Sequence, residues 1–221
     1  MNKKIQVYLA GSMFCEADRM YNALLAEKIR ERVGNYIDLY VPQENLSIND
    51  KTKCANSHDI FWGDYNRLQN CDIFIARIDG DIPPSGTSAE IGIMSQRRQS
   101  WDKDTIPPMI LGLCTDSRNP KRTYLDAKNE LMKNEDYESQ YCYFNLFTLG
   151  CIKVNGELAT SIDELVDKLE IAVKIRLGEK YEVKREFICA NYDVDKGQPW
   201  QGYKVTYSNG EVEYERKYEN L

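Results

Sequence analysis

The sequence predicts a doubly wound α/β fold, a mostly parallel sheet with helices on both faces and a small β appendage at its C-terminal end. Two observations predict the main fold. Short apolar runs of strand length alternate with stretches of helical periodicity, and such alternation builds a parallel sheet covered on both faces. In addition, the apolar run "CDIFIA" leads directly into the Gly/Pro-rich "RIDGDIPPSGTSAEIGIM", the arrangement that presents a side chain at the carboxyl edge of such a sheet. A third observation predicts the appendage: near residue 183 the pattern changes to alternating strands around Asn209–Gly210, a hairpin signal.

The elements follow in order. "KIQVYLA" (4–10) reads as a strand, and Met20, Leu24, Leu25 and Ile29 recur at helical spacing within a helix over about 14–33. "YIDLYVP" (36–42) is a second strand, ended by Pro42, and a long polar loop follows it. A helix over about 58–69 leads into the strand "CDIFIARI" (71–78), and a helix over about 87–99 follows the Gly/Pro loop. "PPMILGLC" (107–114) is a buried strand, "TYLDAKNELMKN" (123–134) a helix, and "LGCIKV" (149–154) a short strand. Ser161 and Glu164 form a capping box for a last helix that runs to about Leu177. The expected organisation is a flavodoxin-like domain over 1–180 and a β-hairpin appendage over 181–221.

Composition excludes several function classes. Net charge is −6 with Lys and Arg scattered among Asp and Glu, so the basic stripe of a nucleic-acid-polymer binder is missing. No apolar run approaches a membrane span or a signal-peptide core, and the expected location is cytoplasmic. The seven cysteines include no CxxC pair, which points to reduced thiols rather than a disulfide framework or a zinc site. His58, the single histidine, lies in "NSHDIFW" and reads as part of a helix start. Acid–base work therefore falls to carboxylates. Neither G-x-x-x-x-G-K-[ST] nor G-x-G-x-x-G occurs, so ATP and dinucleotide use have no motif support.

What remains is a set of polar residues near strand ends: Tyr8, Gly11 and Ser12, Gln43, Asp72, and Ser85 to Glu90. Each has a plain structural explanation. Thr87 and Glu90 fit a capping box, Asp72 a strand anchor, Tyr8 a strand aromatic and Gly11 a tight turn. Together they suggest more. A Glu in a helix's first turn would be held ionised by the dipole and amide donors, ready to attack an electron-poor carbon. A tyrosyl hydroxyl would orient it, and a second carboxylate would handle the leaving-group proton, the recipe for retaining glycosyl chemistry.

In their order, "VYLAGSMF", "NCDIFIARIDG" and "SGTSAEIG" resemble the nucleoside 2-deoxyribosyltransferases, and "TDSR" (115–118) and "YFNLF" (143–147) resemble further segments of that family. The similarity covers about residues 4–175. It implies that Glu90 is a nucleophile that takes the deoxyribosyl group, that Tyr8 tunes it, and that Asp72 protonates the leaving base. It also implies Gln43 as a base contact, Gly11, Ser12, Ser85, Gly86 and Thr87 as substrate contacts, and Asn145 as a residue supplied to the sugar by a neighbouring subunit. The implied ligands are a nucleoside or nucleotide and a free nucleobase, with no metal or cofactor needed, and the implied state is a homo-oligomer.

Two departures matter. Pro84 stands where the family loop has an Asp, so Ser85, Asp81 or Asp79 would have to compensate at the sugar. Ser12 stands where the family often has Pro. In the related deoxynucleoside-monophosphate N-hydrolases a Gly-Ser turn accompanies phosphate recognition, and amides at a helix start suit a phosphate. Hydrolysis of a nucleotide on the same fold is thus the alternative to base exchange. A non-catalytic nucleotide-binding module is a third reading.

Overall fold

Along the strand Ile73–Arg77 every residue is buried: Ile73 and Ile75 face one side, Phe74 and Ala76 the other. Only a strand covered on both faces has this pattern. The computed structural model describes residues 4–50, 52, 54–80, 84–101, 105–116, 145–193 and 196–218. The elements are β1 (Ile5–Ala10), α1 (Glu16–Val33), β2 (Ile37–Tyr40), a 3-10 turn (Pro42–Glu44), α2 (Leu46–Asn49), α3 (Ser57–Asn70), β3 (Ile73–Arg77), α4 (Ser85–Gln99), β4 (Met109–Leu113), α5 (Leu146–Asn155), β5 (Gly156–Ala159) and α6 (Ile162–Leu177). The five strands pair in the order β2-β1-β3-β4-β5, all parallel.

One face of the sheet packs Val7, Leu9, Ile75 and Leu111 against Leu25 and Ile29 of α1 and Leu165 and Leu169 of α6. The other packs Tyr8, Phe74, Ala76 and Ile110 against Leu68 of α3, Ile91 and Met94 of α4, and Leu149 and Ile152 of α5. Truncating a fully buried residue such as Ile75 to Ala should cost about 2–5 kcal/mol. The chain leaves β1 towards β2 and later returns to its other side as β3. The carboxyl ends of β1 and β3 therefore form the switch point at which open α/β sheets hold ligands.

Several boundaries differ from the sequence expectation. Residues 149–154 are helix, not strand, because Leu149 and Ile152, three apart, are buried while Val154 is exposed. The strand comes next, as "GELA". Its Gly156 is obligatory, since a Cβ there would lie 1.7 Å from the Ile110 carbonyl oxygen. The polar loop after β2 contains the 3-10 turn and α2, and α3 starts at Ser57 behind a capping box of Asn56 and Asp59. Helix α6 has its Ser161 cap, whereas Glu164 reaches back to the Thr160 amide at 2.8 Å. The helix expected over 123–134 lies outside the described residues.

The chain divides into two compact units, up to Val173 and from Lys174 onward. The second holds three antiparallel strands rather than one hairpin: β6 (Glu182–Asp193), β7 (Gln198–Tyr207) and β8 (Val212–Tyr218). Between β7 and β8, Gly210 adopts φ 84°, the left-handed conformation that the Asn209–Gly210 pair signals. Exposed ion pairs, such as Lys180 with Glu211 and Glu213, decorate this sheet and stabilise it little. No described helix is long and apolar enough to cross a membrane.

Candidate active site

Parallel pairing of β1 and β2 sets Tyr8 beside Tyr40 on one face of the sheet, with ring centroids 5.1 Å apart. Phe74 of β3 closes the other side of the Tyr8 ring at 5.4 Å. Locked between them and only 1% exposed, Tyr8 donates its hydroxyl hydrogen to Glu90 Oε1 at 2.6 Å. Glu90 projects from the inward face of α4, which it shares with buried Thr87 and Met94 at helical spacing.

The helix dipole does not hold Glu90 ionised, contrary to the sequence expectation. Helix α4 starts at Ser85 behind Pro84, which offers no side-chain cap, so Glu90 lies in the second turn and forms no capping box with Thr87. The dipole effect fades beyond the first turn. Burial dominates instead and pushes the Glu90 carboxyl up to about 7, the Tyr8 hydrogen bond opposing and the Asp64 charge adding to the rise. Among the described residues no cation pairs with Glu90. Burial and the Glu90 carboxylate push the Tyr8 phenol far above its usual range, so Tyr8 stays a donor.

The second carboxylate at this site is Asp64 of α3, which the sequence reading missed. Tyr40 donates to Asp64 Oδ1 at 2.8 Å, and Asn45 Nδ2 donates to the Tyr40 oxygen at 3.0 Å. The Asp64 charge acts on both Tyr8 and Glu90, and burial weakens the acidity of Asp64 itself. A signal was present: Asp64 precedes buried Leu68 by four residues, which sets a carboxylate on the inward stripe of α3.

Asp72 is elsewhere. It stands just before β3, at the amino edge of the sheet, where its carboxylate accepts from the Gln6 amide at 2.8 Å and its own amide donates to the Gln6 carbonyl. At about 3.3 Å per residue, the length of β3 separates it from the carboxyl edge.

On the opposite face of the same carboxyl edge lies a second polar cluster. Arg77, at the end of β3, donates to the Ser12 carbonyl at 2.8 Å and to Asp18 Oδ1 at 2.7 Å. The Ser12 hydroxyl donates to Asp18 Oδ2 at 2.6 Å, and these contacts hold the Asp18 carboxyl down at about 2. Asn22 donates to the Ser12 carbonyl and to Gln43 Oε1, fixing Gln43 beside the β1 turn. A Cβ on Gly11 would lie 3.1 Å from Arg77 Nε and 3.5 Å from Asn22 Oδ1, so the turn needs glycine for that close approach.

Of the other sequence-singled residues, Ser85 and Gly86 are exposed on the first turn of α4, and Thr87 is buried. Asp79 ties β3 to the chain after β4 by accepting from the Thr115 amide at 2.5 Å; Asp81 lies outside the described residues. Asn145 is exposed and caps α5, accepting from the Thr148 amide at 3.0 Å. His58 is exposed on the first turn of α3. Burial pushes the Cys71 thiol up to about 12, which makes it inert. No group of three or more His, Cys, Asp or Glu among the described residues is placed to hold a metal ion.

Comparison with known proteins supplies the family. A protein of Ureaplasma parvum serovar 3, uncharacterized by name, is 33% identical over 183 residues, which span 79% of this chain and 99% of that one. A solved structure described as a conserved protein from Enterococcus faecalis V583 is 35% identical, with a TM-score of 0.59 over 79% of this chain and 99% of that chain. The family model for nucleoside 2-deoxyribosyltransferases matches residues 7–149, more than half of the sequence and the span that holds Tyr8, Asp64 and Glu90. The chain belongs to the nucleoside 2-deoxyribosyltransferase family.

Proposed function

We propose that the protein exchanges the base of a 2'-deoxynucleoside through a covalent deoxyribosyl ester on Glu90, with Asp64 rather than Asp72 as the acid and base. The observation that carries this reading is the 2.6 Å bond from buried Tyr8 to Glu90 Oε1 at the sheet's switch point, with Asp64 held by Tyr40, the ring neighbour of Tyr8. A nucleophilic carboxylate and a second carboxylate, held by neighbouring tyrosines, have the roles that retaining transfer requires.

Burial raises both carboxyls, and the Asp64 charge further opposes ionisation of Glu90. The pair therefore keeps one proton over a range of pH, and the competent arrangement places it on Asp64. The free oxygen of ionised Glu90 attacks the anomeric carbon as the bond to the base nitrogen breaks, and the Asp64 proton passes to the departing base. An incoming base then attacks the same carbon, the ester bond to Glu90 breaks, and Asp64 recovers a proton from the new base. Uncapped amides at the start of α4, near Ser85 and Gly86, suit the sugar hydroxyls that Pro84 does not serve. Gln43 suits a base contact, and Asn145 a residue given to a neighbouring subunit of a homo-oligomer.

The Ser12 contacts favour an unphosphorylated substrate. Its hydroxyl is committed to Asp18, a carboxylate ionised down to about 2, which would repel a phosphate at that turn. Incubation with 2'-deoxyinosine and free adenine tests the reading. A new adenine nucleoside supports exchange, free deoxyribose or its phosphate indicates hydrolysis, and binding without turnover leaves a non-catalytic module.

A further inference from the structure

The polar chain behind Asp64 has a single allowed direction. Asn45 Oδ1 caps α2, accepting from the Ser47 amide at 3.1 Å and the Ser47 hydroxyl at 2.5 Å. Its amide nitrogen is thereby turned to the Tyr40 oxygen as a donor. Tyr40, already accepting, spends its own hydrogen on Asp64 Oδ1, and Arg67 lies 4.9 Å above the Tyr40 ring. With Oδ1 occupied as an acceptor, the acidic hydrogen of Asp64 belongs on Oδ2. Directly in register with Tyr40, Tyr8 does the same for Glu90, holding Oε1 and leaving Oε2 open among the described residues.

We propose that Tyr40 and Asn45 are positioning residues that fix the acidic hydrogen of Asp64 on Oδ2, so that Tyr40 governs departure of the base while its neighbour Tyr8 governs attack on the sugar. The proposal rests on the roles given above to Glu90 and Asp64. It divides the paired tyrosines of β1 and β2 between the two halves of one bond exchange. Loss of Tyr40 should therefore matter in proportion to how much the leaving base needs a proton.

The test compares a purine 2'-deoxynucleoside with its N7-methylated counterpart, whose cationic base leaves neutral without protonation. Tyr40→Phe should lower kcat about tenfold on the ordinary nucleoside and less than about twofold on the methylated one. Tyr8→Phe should lower both alike. Asn45→Asp keeps the α2 cap but removes the donor to Tyr40, and it should reproduce the Tyr40→Phe selectivity with an unchanged melting temperature. Equal losses on both substrates for Tyr40→Phe and Asn45→Asp, in a protein whose wild type turns over both, overturn the positioning role alone. A wild type inert towards both substrates overturns the underlying reading and the proposal with it.

Discussion

Two carboxylates sit at one edge of one sheet, on opposite faces, and their surroundings drive them apart. Asp18 accepts from Arg77 and Ser12 and is held down at about 2. Among the described residues no cation pairs with Glu90, which is desolvated and pushed up to about 7. The Asp18 side resembles a fastening: its charge is matched, its hydroxyl partner is used up, and it ties the β1 turn to the end of β3. The Glu90 side carries a half-buried charge that a phenol stabilises and no described cation matches. Mismatch of that kind weakens a fold and concentrates at functional sites, which is why Glu90 and not Asp18 is read as reactive.

Glu90→Gln should widen the contrast most. Base exchange should fall by about 1,000-fold or more, measured as initial rates of new nucleoside formation. The same change should stabilise the fold at pH 8. A carboxyl whose folded value lies above its ordinary 4.5 contributes most below that value and loses this contribution as pH rises through about 7. Gln escapes the loss, so its melting temperature at pH 8 should exceed that of wild type, by an amount on the order of 1–2 kcal/mol of stability. In the wild type, kcat/KM should fall as pH rises through about 7, where the pair loses the one proton that exchange needs.

Asp64→Asn ranks next, with an expected loss of about 100-fold or more on nucleosides with poor leaving bases and a smaller loss on a pre-charged base. Asp18→Asn tests the fastening. It should cost about 2 kcal/mol near neutral pH by leaving Arg77 buried without its partner. Because the folded value of Asp18 lies below the ordinary 3.8, its contribution is present above that value and fades as pH falls through about 2, so the wild-type and variant melting curves should converge in acid. The smallest effect belongs to Asp72→Asn, about 1 kcal/mol of stability for a weakened bond to the Gln6 amide, with exchange rates unchanged.

Much of the fold was legible because a parallel sheet writes its strands as apolar runs, as in "CDIFIA". The run "LGCIKV" was misread because a short apolar stretch has no periodicity long enough to separate strand from helix. Tyr8 and Glu90 were singled out from sequence, and the fold brings them to 2.6 Å. The reason offered for Glu90's charge did not survive, since α4 starts three residues earlier than the Thr87 cap implied. Asp64 was missed because the strand-leading Asp72 drew attention to the wrong end of β3, although the Asp64–Leu68 spacing carried the information. Tyr40 was legible to no single-segment reading, because its meaning lies in its register with Tyr8 across two strands.

The central claim is that Glu90 carries the sugar. Incubating the protein with a 2'-deoxynucleoside and no acceptor base, quenching in acid and mapping the peptides by mass spectrometry tests it directly. The account predicts a deoxyribosyl adduct on Glu90 that disappears when a free base is added before the quench. Release of the base with the sugar on another residue, or on none, would contradict it.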